Sequence, residues 1–239
     1  MSEEYSPDNV LDRLSSSDTL ELQYEQIRRR ERALLDARLP SLHSGDVLSV
    51  GCGARPGRHL FPAPAFRLVG VDLDPEKVRS AVEWGGADSG FVGRAGSLDD
   101  LADGSFDAVL YRLTLHHIAF QGPLAPCFEE AARLLRPGGV MIAVEPGLWH
   151  PVGAALALAN RSAALARFIH GTPDDIPLSP RALVREARAA GLEPELHAVT
   201  YTWRRMPRPV QRALWRLDEH GSKPRLAPFG HHLMLIARA

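Results

Sequence analysis

The chain has only two cysteines, Cys52 and Cys127, in 239 residues. That count argues against a disulfide framework or a metal site and suits a reducing compartment. No run approaches the roughly 18 consecutive apolar residues of a membrane-spanning helix. Neither sign of charge dominates: 28 Lys and Arg face 29 Asp and Glu, for a net charge of −1. The chain therefore lacks the electrostatic footprint of a nucleic-acid binder. Arg28-Arg29-Arg30-Glu31-Arg32 is locally basic, but it falls in a helical pattern and reads as a solvated helix face. The opening residues, MSEEYSPDNV, lack the basic-then-apolar pattern of a secretory signal, so the cytoplasm is the expected location. Apolar residues make up 45% and charged residues 24%, ordinary values for a globular chain long enough for one sizeable core.

What is present is concentrated between Asp46 and Pro75. Val47, Leu48 and Val50 form an apolar run that stops at Gly51-Cys52-Gly53. Leu68, Val69 and Val71 form a second run that stops at Asp72. A strand, a glycine turn, a second strand and an acid about 20 residues on describe a nucleoside site: the glycines admit close backbone approach and the carboxylate accepts two ribose hydroxyls. The dinucleotide fingerprint G-x-G-x-x-G fails, because its third glycine would fall at Pro56.

Further segments follow in βα order. Phe91-Val92-Gly93 reads as a third strand, leading to Gly96-Ser97-Leu98-Asp99. Asp103 to Ile118, DGSFDAVLYRLTLHHI, reads as a turn feeding a fourth strand, and Leu134 to Gly147, LLRPGGVMIAVEPG, as a helix end turning into a fifth. Residues Ser179 to Ala190 form a helix with Ser179 as N-cap, Pro180 at its first position and Gly191 past its end. Leu196 to Trp203 and His232 to Arg238 read as strands, with room for a short helix around Val210 to Asp218 between them. At the front, Leu20, Tyr24, Ile27, Leu34, Leu35 and Leu39 mark a helix from about Asp18 that ends at Pro40.

VLSVGCG, the acid at Asp72, LHHI and LLRPGG together resemble the class I S-adenosylmethionine-dependent methyltransferases, in particular the ubiquinone- and menaquinone-biosynthesis-like small-molecule subgroup. The likeness covers Val47 to Pro146 well and the remainder in outline. It implies a Rossmann-like α/β fold: a seven-stranded, mostly parallel sheet with helices on both faces, an antiparallel terminal hairpin and a helical lid. It also implies S-adenosylmethionine as cofactor and S-adenosylhomocysteine as product. The cofactor set it implies is Ser49, Gly51, Cys52, Gly53, Asp72, Leu73, Ser97, Leu98 and Arg112. Two departures stand out: Ser49 replaces the usual carboxylate, and Ser97 replaces the acid that meets the adenine, leaving Ser97, Asp99 or backbone for the base.

The expected organisation is an N-terminal helical cap over residues 1–44 and a methyltransferase domain over 45–239. The leading helix either covers the active-site mouth or docks on the sheet. Leu148 to Leu178 is overlong for a strand-to-helix connection and reads as a lid. Within it, Ala155, Leu158, Ser162, Leu165 and Ile169 share one helical face that could close over a hydrophobic acceptor, pack on the body or rest on a membrane surface. His117, His150 and His170 are the candidate general bases, since a neutral imidazole can take a proton from an acceptor hydroxyl.

The Asn/Asp-Pro-Pro-aromatic motif of enzymes acting on DNA bases or glutamine is missing from Tyr111-Arg112-Leu113-Thr114. Acids matching the metal-dependent catechol enzymes are missing too, so no metal is expected. The expected function is methyl transfer to a small-molecule acceptor, most simply a hydroxyl of a lipophilic or secondary metabolite. The alternatives are N- or C-methylation, or a cofactor-binding domain without methyl transfer. No nucleic acid or integral membrane partner is expected, and homo-oligomers are compatible with the sequence.

Overall fold

The computed structural model describes residues 17–203, 206–220 and 224–239. The segment before Ser17 and the surroundings of Leu20 lie outside them. The sheet has seven strands in the order β3-β2-β1-β4-β5-β7-β6. They are β1 (Gly45–Val50), β2 (Phe66–Asp72), β3 (Ser89–Val92), β4 (Phe106–Arg112), β5 (Leu135–Pro146), β6 (Glu193–Thr200) and β7 (His232–Arg238). The first five pair in parallel, and β7 runs antiparallel to both β5 and β6. The order reverses between β1 and β4, so their carboxyl ends open the crevice in which doubly wound sheets bind ligands.

Burial on both faces explains the near-continuous apolar strands. One face packs Phe128 and Leu134 of helix α4 (Ala125–Leu134) and Leu183 of α7 (Pro180–Ala189) onto β4 and β5. The other carries Ile27, Leu34 and Leu35 of α1 (Ser17–Arg38) and Ala81 of α2 (Pro75–Glu83). Each buried Leu or Ile there contributes about 1.5–3 kcal/mol of transfer free energy.

The β1–β2 connection contains turns and no helix. Leu60 and Phe61 from this connection fill the face instead, beside α1. Arg58 pins it, donating to the carbonyls of Gly86 and Phe66 and to Asp88 Oδ2 at 2.7 Å. Arg32 of α1 donates to Leu60 O at 2.7 Å. The leading helix thus covers apolar surface that a crossover helix would otherwise take.

Three sequence expectations shift. The strand expected over Leu196–Trp203 spans Glu193–Thr200 instead. Its ladder breaks at a register shift between Ala198 and Thr200, and the Tyr201 N–H turns to Asp218 Oδ1 at 2.8 Å. The single lid helix is two, α5 (Pro151–Ala159) and α6 (Ala163–His170), because Ser162 N-caps the second by accepting from Leu165 N–H. The expected apolar stripe does not face the body: Ala155, Leu158, Ser162 and Leu165 are exposed, while Gly153, Ala159 and Ala166 point inward. Helix α8 (Arg208–His220) occupies the connection where a short helix was expected.

Candidate active site

Asp72 ends β2 at the crevice. Its Oδ2 accepts from Gly53 N–H at 2.9 Å and its Oδ1 from Asp74 N–H at 3.1 Å, which fixes the carboxylate against the glycine turn. Gly53 has φ +49°, and nothing lies within 4 Å of where its Cβ would stand. Leu73 beside it is 58% exposed. A held carboxylate, an open backbone cradle and an apolar surface next to it fit a ribose and a purine.

Gly51 is also required by its protein neighbours. Its φ is +63°, and a Cβ there would stand 2.1 Å from Thr114 Cγ2. Thr114 follows β4 and donates its hydroxyl to Gly51 O at 3.0 Å, so the loops after β1 and β4 are joined across the switch point. Leu113, just before it, holds φ +56°, a left-handed conformation that costs a non-glycine residue roughly 1–2 kcal/mol. Its N–H is tied to Val144 O at 2.8 Å. Strain kept at a switch point is a mark of a site, and nothing in the sequence signals it.

Other members of the expected cofactor set lie deeper or are engaged. Ser49 is buried within β1. The Cys52 side chain is buried toward Gly70, and burial with the nearby Asp72 charge pushes its thiol up to about 12, so it is no nucleophile. Leu98 belongs to the core, its N–H held by Glu130 Oε1 at 2.8 Å. The Ser97 hydroxyl donates to Asp99 Oδ2 at 2.7 Å. Arg112, at the end of β4, is bound bidentately by Glu31 of α1 at 3.0 and 3.1 Å.

Glu31 corrects the reading of the basic run as a wholly solvated face: it is fully buried and also accepts from His59 Nε2 at 2.6 Å. Burial pushes its carboxyl up, but the His59 hydrogen bond and the Arg112 charge outweigh that and hold it below the usual range. Gln23 of the same helix donates to Thr202 O at 2.9 Å, just past the carboxyl end of β6, whereas Arg38 pairs with Glu195 near the start of that strand. The helix therefore docks along the sheet and also brings its first half to the mouth.

Glu145, near the end of β5, is a residue the sequence reading missed, although an acid closing a buried strand is a visible signal. It is fully buried and accepts from the N–H groups of Thr114, Leu115 and His116 and from His116 Nδ1 at 2.6 Å. A carboxylate at the first turn of α3 (Leu115–Gln121) suits the helix dipole. His116 Nε2 lies 3.4 Å from Asp175, and His117 Nδ1 lies 3.3 Å from Asp174 without hydrogen-bond alignment. Both acids belong to the returning end of the lid, whose base is closed by Leu178 N–H to Pro146 O and Leu148 N–H to Leu178 O.

The three candidate bases separate on this geometry. His150 has both nitrogens occupied: Nδ1 accepts from Val152 N–H at 3.3 Å, capping α5, and Nε2 donates to Tyr201 O at 3.1 Å. His170 donates Nε2–H to Asn160 Oδ1 at 2.6 Å, and Asn160 holds Asp175 O, so this imidazole braces the lid. His117 is the half-exposed member, with its side chain 43% accessible. Burial and the neighbouring His116 charge push its pKa below 6.5, which favours the neutral ring at pH 7.

The histidines also set a pH dependence of stability. Burial holds His150, His170, His197 and His232 below 6.5, His232 at about 4. Below pH 6.5 the unfolded chain binds more protons at these sites, so stability falls as pH drops toward 4. His116 acts oppositely: burial pushes it down, but the Glu145 charge and hydrogen bond raise it above 6.5. Its stabilisation is complete below pH 6.5 and is lost as pH rises through the folded-state value. Thermal denaturation scanned against pH should peak near 6.5, with His232→Asn flattening the acid limb and His116→Asn the alkaline limb. A melting temperature that climbs steadily toward pH 4 would contradict this account.

The sequence over residues 48–143 matches the family described as methyltransferase domain. The strand order and terminal hairpin give the whole chain the class I, S-adenosylmethionine-dependent methyltransferase fold. A possible histamine N-methyltransferase from Thermotoga maritima superposes with a TM-score of 0.62 at 18% identity, covering 93% of this chain and 95% of that one. Phosphoethanolamine N-methyltransferase 2 from Haemonchus contortus, solved with S-adenosyl-L-methionine, gives 0.56 at 17% identity over 88% of this chain and 52% of that one. The 4+2 cyclase SpnF gives 0.58 at 21% identity over 88% and 80%. No curated protein sequence matches the chain. Within the matched segment, the glycine turn, Asp72 and the His116-His117 pair all gather at the carboxyl ends of β1, β2 and β4. No described helix is long and apolar enough to cross a membrane.

Proposed function

We propose that the chain transfers a methyl group from S-adenosylmethionine to a hydroxyl of a lipophilic small molecule, with His117 as the general base. Asp72 and the Gly53 backbone would hold the ribose, and Leu73 would lie against the adenine, with Ser97 and Asp99 beside it. The bound sulfonium supplies an already activated methyl electrophile. What remains for the protein is to align the acceptor, exclude water and remove a proton. The observation that carries this reading is His117 itself: a neutral, half-exposed imidazole at the carboxyl end of β4 with the Asp174 carboxylate 3.3 Å away. Glu145 and His116 hold the turn it stands on. The lid over residues 148–178 and the mouth end of α1 would border the acceptor.

A panel of phenols, alcohols, amines and thiols incubated with methyl-labelled cofactor tests this. Label is expected on oxygen acceptors. Transfer to amines alone would overturn the choice of atom. A second reading is cofactor binding without methyl transfer, motivated by Ser49 in place of the carboxylate and by the helix-free connection after the glycine turn. The same assay decides it, since cofactor bound with no label moved to any acceptor class would favour that alternative.

A further inference from the structure

The returning end of the lid carries two acids, Asp174 and Asp175, back to the histidine pair. Their backbone is held in place. Asn160 donates to Asp175 O at 3.0 Å, Ile176 N–H donates to Asp174 O at 3.1 Å, and Leu178 bonds both Pro146 and Leu148. The Asp174 side chain is oriented as well, because the Thr172 hydroxyl donates to its Oδ1. That leaves Oδ2, which lies 3.3 Å from His117 Nδ1. This Nδ1 is buried and has no hydrogen-bond partner among the described residues. A buried polar atom left unpaired calls for an explanation. The separation is close to that of a hydrogen bond, and the χ2 torsion of a histidine ring is soft enough to complete the alignment. Such contacts often tighten only when a substrate is bound.

A neutral imidazole carries its proton on one nitrogen and its basic lone pair on the other. The partner of one nitrogen decides the state of both. An ionised carboxylate only accepts, so Oδ2 at Nδ1 selects the Nδ1–H form. The lone pair then stands on Nε2, at the far side of a ring whose side chain is 43% exposed. We infer that Asp174 is a positioning residue brought to His117 by the lid: it accepts from Nδ1–H, fixes the ring and leaves the Nε2 lone pair for the acceptor. This rests on the reading of His117 as the base, and it makes that base depend on the lid being in place. The acceptor's proton goes to Nε2. None passes to Asp174, which stays anionic beside the imidazolium that forms. Asp175 keeps the arrangement together. It lies 3.4 Å from His116 Nε2, while Glu145 holds His116 Nδ1 at 2.6 Å, so one imidazole ties the lid to β5.

Long-range proton–nitrogen NMR correlations on the full chain read the tautomer directly, with no cofactor or acceptor needed. The His117 signals are assigned by their loss in His117→Gln, and the neutral ring is expected in the Nδ1–H form. In Asp174→Asn the new amide can donate to Nδ1, so the Nε2–H form should appear. Asp174→Glu keeps a carboxylate and should retain Nδ1–H. The charged groups facing the ring are His116 beside it, Asp174 and Asp175 of the lid and Glu145 of β5. Removing the Asp174 charge takes away an attraction for the imidazolium. The His117 titration should therefore move to lower pH in the Asn variant and stay near wild type in the Glu variant. On an oxygen acceptor from the labelling panel, kcat of the Asn variant should fall roughly 10²-fold or more, with KM changed less and Asp174→Glu recovering much of the loss. An Nε2–H tautomer in the wild-type chain overturns the proposal, and so does an Nδ1–H tautomer that persists in folded Asp174→Asn. The wild-type spectrum decides even where a variant fails to fold. Near-full turnover in His117→Gln would instead remove the base reading, and with it the proposal, whatever the tautomer.

Discussion

Replacing His117 by Gln is expected to lower turnover about 10²- to 10⁴-fold while cofactor affinity stays close to wild type. Gln preserves the size and hydrogen bonding of the ring but cannot take a proton at neutral pH. The loss should therefore fall on kcat, and the acid limb of the pH–rate profile should disappear with it. Two controls separate the base from the scaffold. His150→Gln removes a helix cap and should cost about 0.5–2 kcal/mol of stability, with turnover of the folded protein largely kept. His170→Gln should loosen the Asn160–Asp175 brace of the lid and raise KM before it lowers kcat. Near-full turnover in His117→Gln would mean that alignment alone carries catalysis, or that the acceptor needs no protein base.

The second large effect is expected at Asp72. Its carboxylate is held by two backbone N–H groups and still presents lone pairs to the crevice. Asp72→Ala should weaken S-adenosylmethionine binding by roughly 1.5–3 kcal/mol, about 10- to 150-fold, as one charge-assisted partner is lost. Isothermal titration reads this directly, and unchanged affinity would sink the ribose assignment. The two glycines should fail for different reasons. Gly53→Val fills the open cradle and forces a β-branched residue to φ +49°, so binding should vanish from a chain that still folds. Gly51→Val instead drives a side chain into Thr114, and a lowered melting temperature should accompany its loss of binding.

The nucleotide-binding half was legible because its signals are local. Apolar runs stopping at Gly51 and at Asp72 need only a strand buried on both faces and the steric freedom of glycine. The terminal hairpin and the α7 helix were legible for the same reason, since Ser179, Pro180 and Gly191 announce the ends of that helix. The lid was visible as an overlong connection, but its orientation was not. Periodicity reveals that a helix has an apolar stripe, and nothing in the sequence says whether that stripe faces body or solvent. Here Ser162 broke the helix, and small Gly153, Ala159 and Ala166 took the inner side.

The sequence by itself determined the strand–turn–strand frame, the acid at position 72 and the placement of two histidines beyond the fourth strand. These follow from residue type and short-range spacing, which survive in the unfolded chain. Tertiary structure decided what those residues touch. Glu31 sits among arginines in the sequence, yet it is buried against Arg112 and His59, which lie 81 and 28 residues away. Glu145 organises the turn after β4 from a distance of about 30 residues, and Asp174 and Asp175 reach His117 and His116 only because the lid folds back. Such partners are chosen by how the sheet is wound and by the energetic need to pair each buried charge. Neither is written in any local stretch of the chain.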